Sequence, residues 1–71
     1  MYSRRQEING HIYDEHALEE NLFVTATDAG LKCPVSIYLG DNSHDITIEE
    51  ARWLGAALIK SANLAEGEKH E

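Results

Sequence analysis

Apolar and polar residues alternate most clearly between Leu31 and Leu39. The odd positions of this run are apolar: Leu31, Cys33, Val35, Ile37 and Leu39. A period of two predicts a β-strand with one face buried. Because Pro34 has no N–H to donate to a ladder, we expect this strand to lie at a sheet edge or to carry a bulge.

A second run, Leu22 to Thr27, is rich in β-branched and aromatic residues, and Asp28-Ala29-Gly30 follows it as a turn. The two runs together predict a β-hairpin. Upstream, residues 8–13 predict a third, shorter strand, or else Asn9-Gly10 is a hairpin turn inside that segment. We expect residues 1–6 and 67–71 to be flexible.

The C-terminal third predicts one helix after a loop at residues 40–43. Thr47 is placed to cap the helix, with Glu50 completing a capping box, and Gly67 is placed to stop it after about Ala65. One side of this helix, which we name the apolar arc, spans about 140°. It contains Ile48, Ala51, Leu54, Gly55, Leu58, Ile59, Ala62 and Ala65. The prediction is a single α+β domain over residues 1–71: a two- or three-stranded antiparallel sheet with this helix packed on one face.

Apolar side chains remain outside that predicted core. On the far side of the helix lie Trp53, Ala57 and Leu64, which we name the Trp53 stripe. Either Trp53 folds down at the helix edge and covers core side chains, or the stripe is an interface. We favour the interface, and expect a two-fold homodimer through it.

The sheet leaves a second surplus, because Tyr13, Phe23 and Tyr38 are predicted to point away from the helix. Either residues 7–21 cover these aromatic rings, or the rings form an exposed patch for a partner protein or a second sheet.

The composition is acidic, with 13 Asp and Glu against 6 Lys and Arg in 71 residues, and a net charge of -7. Most of the acidic residues form two blocks: Asp14, Glu15, Glu19 and Glu20, then Asp41, Asp45, Glu49 and Glu50. Arg4-Arg5 is the one adjacent basic pair, so we expect no direct contact with nucleic acid. The blocks are either solvated surface or faces presented to a basic groove on another protein.

The sequence carries no motif of catalysis or metal binding. Its four His and one Cys show no zinc-ligand spacing, and Cys33 alternates with apolar neighbours as a small core residue does. Residues 41–45 lack the spaced ligands of a calcium loop, and no nucleophile or phosphate-loop motif is present. We therefore expect no enzyme activity, no cofactor and no metal. Without a signal peptide or an apolar run of membrane-spanning length, the expected location is cytoplasmic, away from membranes.

The segment from Ile46 to Leu58, a capped Ala-rich helix after an apolar strand, resembles the C-terminal half of small uncharacterised proteins from bacteria and their phages. The short length, acidity and spare apolar surface are similar to phage-encoded inhibitors of host defence, including anti-CRISPR proteins. This resemblance implies a non-enzymatic protein-interaction module that binds a host protein and occupies its basic, nucleic-acid-binding surface. The alternative is a homodimeric ligand-binding protein whose pocket, at the subunit interface, is lined by Tyr13, Phe23 and Tyr38.

Overall fold

Five strands and one helix make up the protein in a computed structural model that describes residues 1–67. The elements are β1 (Tyr2–Ile8), β2 (His11–Glu19), β3 (Leu22–Thr27), β4 (Val35–Leu39), β5 (Asn42–Ile46) and α1 (Ile48–Ala65). The strands form one open antiparallel sheet in chain order, β1-β2-β3-β4-β5. The α+β class is confirmed, but the prediction of two or three strands is wrong because both edge strands were missed.

The turn at Asn9-Gly10 creates the first hairpin. Both residues have positive φ, 54° and 83°, as a two-residue type I′ turn requires. The turn places Ile8 opposite His11 and pairs β1 with β2 along its whole length. Residues 2–6, which were expected to be flexible, therefore belong to a strand. That strand was missed because it has no alternation of apolar and polar residues.

The predicted central hairpin is confirmed, with Leu22 opposite Leu39 and Phe23 opposite Tyr38. Its second strand begins at Val35, however, and residues 31–34 lie in the connecting loop. The expectation that Pro34 marks an edge strand or a bulge is wrong, because Pro34 precedes an interior strand. Only its carbonyl is used there, accepting a hydrogen bond from the Thr27 N–H at 3.2 Å.

The segment expected to be a loop at residues 40–43 is shorter than predicted. Gly40 and Asp41 make the turn, with Gly40 at φ 63°, and β5 begins at Asn42. This strand pairs with β4 and brings Ile46 opposite Val35. One residue, Thr47, then separates the last strand from the helix.

The helix has the bounds and the cap that the sequence predicts. Thr47 Oγ1 accepts a hydrogen bond from the Glu50 N–H at 3.1 Å, and the Glu50 carboxylate accepts one from the Thr47 N–H at 2.9 Å. Beyond the other end, Gly67 adopts a φ of 87°, the left-handed conformation typical of a helix stop. The expected flexibility of residues 68–71 concerns positions outside the described residues.

The predicted packing of this helix on the sheet is wrong. All extensive contacts between elements in the described chain run from strand to strand. Ile48, Leu58 and Ile59 on the apolar arc are 55%, 62% and 64% exposed. The reason is the link at Thr47, whose extended backbone (φ -78°, ψ 169°) does not turn the chain back over the sheet. The molecule is accordingly elongated, measuring 51 × 25 × 21 Å.

The strand register gives the sheet one aliphatic and one aromatic face, as predicted for the residues that lie in strands. The aliphatic face carries Leu22, Val24, Ala26, Val35, Ile37 and Leu39, and the aromatic face carries Tyr13, Ala17, Phe23 and Tyr38. Ala17, at 5% exposure, is the one buried residue among residues 1–67, and it is not fully buried. The sheet therefore lacks a covering layer from its own chain.

Candidate interaction surfaces

The Trp53 stripe lies open on the helix. The side chains of Trp53 and Leu64 are 71% and 74% exposed, while the small Ala57 between them is half-buried. Trp53 therefore does not cover core side chains, which removes the first of the two interpretations of this residue. A large aromatic ring left in water is typical of a contact surface.

The first acidic block is partly neutralised by the edge strand. Arg5 donates to both carboxylate oxygens of Asp14, at 2.6 and 2.8 Å, and Arg4 donates to Glu15 at 2.8 Å. The hydrogen bond from Arg5 lowers the pKa of Asp14 below its ordinary value. The Tyr2 hydroxyl also donates to Glu15, at 3.0 Å, and this hydrogen bond raises the pKa of Tyr2. Asp14 and Glu15 thus serve the pairing of β1 with β2.

Two members of the second acidic block also have local partners. Asp45 accepts a hydrogen bond from the Ser36 hydroxyl across the β4–β5 pair at 2.7 Å, and Glu50 closes the capping box. Within residues 1–67, no side-chain partner is found for the other four predicted carboxylates. These are Glu19, Glu20, Asp41 and Glu49. They remain available for contact with another molecule.

Three of these four carboxylates lie at one end of the sheet, which we name the hairpin end. The β2–β3 and β4–β5 turns lie side by side there, and the Gly40 N–H donates to the Asn21 carbonyl at 2.7 Å. Glu20 and Asp41 lie in these two turns, and Glu19 is the last residue of β2. Since Ile46 and the helix start lie at the opposite end of β5, the hairpin end and the Trp53 stripe are far apart.

A polar cluster between β1 and β2 was missed by the sequence reasoning. Ser3 Oγ and His16 Nδ1 are 2.8 Å apart, and His16 Nε2 lies 3.9 Å from Asp14. The order Ser-His-Asp is that of a catalytic triad, but 3.9 Å is too long for a hydrogen bond and Arg5 already occupies the carboxylate. The Asn9-Gly10 turn would have revealed the cluster, because a two-residue turn there puts Ser3 opposite His16.

The three aromatic residues are not brought together. Phe23 and Tyr38 stack, with ring centroids 4.3 Å apart and planes inclined by 9°. Tyr13 lies two cross-strand rows away, opposite Gln6 and Thr27. It lines an open depression of about 380 Å³, of mixed polar and apolar lining, that also touches Arg4, Glu15, Leu31, Cys33 and Asp45. Phe23 and Tyr38 do not line this depression.

Cys33 is half-buried in the loop before β4, rather than in the strand where it was expected. Across the described part of the chain, no three His, Cys, Asp or Glu side chains are grouped to hold a metal ion. Among residues 1–67, no helix combines the length and the apolar character that crossing a membrane requires.

Comparison with known proteins gives no relative. No protein-family model matches the chain. Searches of curated proteins and of solved structures likewise find no match.

Proposed function

We propose that the protein is a non-enzymatic interaction module that binds a larger protein through the Trp53 stripe. The observation that carries this proposal is the exposure of Trp53 and Leu64 on a helix that projects from the sheet. A helix that presents apolar side chains along one side can dock into a groove on another protein. Small Ala57 between the two anchors allows the partner to approach closely.

The chemistry of the partner follows from charge. The net charge is -7, and Glu19, Glu20 and Asp41 have no basic neighbour recorded as an ion-pair partner within residues 1–67. Complementary charge accelerates association and selects partners. We therefore propose a basic, nucleic-acid-binding surface on the partner, contacted by the hairpin end. Because the molecule is 51 Å long, a partner that meets both the hairpin end and the stripe presents an extended groove.

This mode of binding would make the module an inhibitor of its partner, because a protein that covers such a groove excludes the nucleic acid. We propose further that it is a phage or mobile-element protein that blocks a cytoplasmic host protein, such as a defence protein, a role that its short length, acidity and exposed apolar side chains suit. The acidic residues held in local pairs, Asp14 and Glu15 among them, contribute to the overall field rather than to direct contacts.

The experiment is capture of partners from nuclease-treated host lysate on the immobilised protein, followed by elution with double-stranded DNA or RNA. We expect the nucleic acid to release the captured protein, and the purified partner to lose nucleic-acid binding when the module is added. Trp53→Ala and the double variant Glu19→Gln/Glu20→Gln should each weaken capture at least several-fold.

The matched control is Glu7→Gln/Glu66→Gln, which changes the net charge equally but lies away from the hairpin end. It should retain capture. If nucleic acid displaces none of the captured proteins, the proposed contact with a basic groove is wrong. The same conclusion follows if the two double variants retain capture equally.

One observation supports the alternative of ligand binding: Tyr13 and the Arg4–Glu15 pair border the depression on the aromatic face. A second subunit would have to close this depression to enclose a ligand. Thermal-shift screening with metabolites at millimolar concentration tests the alternative, since a bound ligand raises the melting temperature. No stabilisation by any metabolite would count against it.

A further inference from the structure

The chain holds two apolar surfaces that suit each other but make no extensive contact. The aliphatic face of the sheet has no layer over it, and the apolar arc of α1 presents Ile48, Leu58 and Ile59 to solvent. A sheet face and an amphipathic helix normally bury each other in a domain of this class. Here each surface lacks the partner that the same chain carries.

The link between the two surfaces prevents them from meeting within one chain. β5 ends at Ile46 and α1 begins at Ile48. A helix that folds back over its own sheet needs a reversing loop, and such connections commonly take several residues. Thr47 is a single extended residue, and its capping box with Glu50 fixes the direction in which the helix begins.

The exposed area is large enough for a stable interface. A folded monomer of this mass, 8.0 kDa, is expected to expose about 4,450 Å². The protein exposes 5812 Å², which is roughly 1,360 Å² more. A stable interface of standard size buries about 800 Å² from each partner. The excess therefore covers what one side of a dimer needs.

We propose that two copies of the chain exchange helices, so that the apolar arc of each α1 covers the aliphatic face of the other copy. The arrangement is two-fold symmetric, with the same two surfaces used on both protomers. A short, constrained link is the condition under which an element leaves its own domain for a neighbouring one. This dimer differs from the one first predicted through the Trp53 stripe.

Charge does not oppose this packing. The apolar arc contains no ionisable residue between Ile48 and Ala65. On the sheet, the polar neighbours of the aliphatic residues lie towards its two edges. Arg5 and Asp14 neutralise each other on one side, with His16 and Glu7 beside them on the same face. On the other side, His44 lies opposite Ile37 on β5. The helix of a second copy would thus bury aliphatic groups between these polar margins.

The Trp53 stripe stays free in the exchanged dimer, because it lies on the opposite side of the helix from the centre of the apolar arc. The inference is consequently independent of the proposed function. A variant that loses the dimer can still bind a partner through the Trp53 stripe. A variant that loses partner binding can still form the dimer.

The first experiment changes the link and measures mass by light scattering. We expect the wild-type chain to be a dimer. Inserting six Gly and Ser residues between Ile46 and Thr47 should give a monomer, because the helix can then fold back onto its own sheet. The matched control, the same insertion between Gly30 and Leu31, should remain a dimer. A monomeric wild type, or a dimeric chain with the longer link at Thr47, would overturn the proposal.

The second experiment needs no change in the link. In a Cys33→Ser background, one chain carries Leu58→Cys on the helix and another carries Ile37→Cys on the sheet. After co-refolding, a short bismaleimide should join helix to sheet between the two different chains. Cross-linking in Trp53→Cys homodimers, with none between helix and sheet, would instead establish the Trp53 stripe as the dimer interface and overturn helix exchange.

Discussion

Arg5 on β1 donates hydrogen bonds to both carboxylate oxygens of Asp14 on β2, at 2.6 and 2.8 Å. This bidentate geometry joins an edge strand to the sheet at a position where neither residue is adjacent to the hairpin turn. The Arg5 side chain is exposed and the pair is screened by salt, so its effect on stability is modest. The effect depends on pH because Asp14 must be ionised to form the pair.

Acid should remove the contribution of this pair. The pKa of Asp14 is lowered in the folded protein, so the pair stabilises the fold above the unfolded-state pKa of about 3.9. That stabilisation is lost as the pH falls through the folded-state pKa. Urea denaturation should therefore show wild type more stable than Asp14→Asn near neutral pH, with the difference shrinking towards about pH 2. A constant difference across this range would contradict the assignment, and Glu7→Gln serves as the control.

The first hairpin turn should tolerate few residues. Gly10 has a φ of 83°, where a side chain is strained, so Gly10→Ala is expected to lower the free energy of unfolding by about 1–2 kcal/mol. Gly10→Asn should cost less, because Asn adopts this conformation more readily. Equilibrium urea denaturation measures both variants. Equal losses for Ala and Asn would show that the left-handed backbone is not the cause.

The N-terminal cap of α1 should make a measurable contribution to the free energy of unfolding. Thr47→Ala removes the oxygen that accepts from the Glu50 N–H and is expected to cost about 1 kcal/mol. Thr47→Ser retains that oxygen and should keep most of the stability. Circular dichroism at 222 nm during thermal unfolding compares the two. If Ser behaves as Ala does, the side-chain cap is not what stabilises the helix start.

Tryptophan fluorescence reports directly on the helix, since the chain has a single Trp. With Trp53 71% exposed, we expect emission near that of Trp in water and efficient quenching by acrylamide. Helix exchange leaves the ring outside, so quenching should persist in the dimer. Binding of the proposed partner should shift the emission to shorter wavelength. Blue-shifted, protected emission from the free dimer would place the ring in the dimer interface.

Local chemistry explains what the sequence could predict. The Thr47–Glu50 cap and the periodicity after it define α1, and the alternating run up to Leu39 defines the central hairpin. The strands β1 and β5 were not predicted because each carries polar residues on both of its faces, as Asn42 and Asp45 show for β5. The pairing of such strands is decided by the neighbouring strands. Because β5 was not predicted, the one-residue link at Thr47 could not be predicted either. The failure of the helix to cover the sheet depends on that link.

The same reason limited the prediction of the contact surfaces. Trp53 was found from the helical wheel alone, because helix periodicity is local. The placement of Glu20 and Asp41 at the same end of the sheet depends on two turns lying side by side, which follows only from the strand order. Likewise, the neutralisation of Asp14 by Arg5 required a strand that the pattern did not show.

The polar character of β1 and β5 has a consequence for the protein at high concentration. An open sheet ends in two rows of backbone groups that can recruit further strands and seed fibrils. Here those margins carry Arg4 and Arg5 on one side and His44 and Asp45 on the other. Charged and hydrophilic margins discourage such growth. The feature that hides the edge strands in the sequence thus guards the sheet against aggregation.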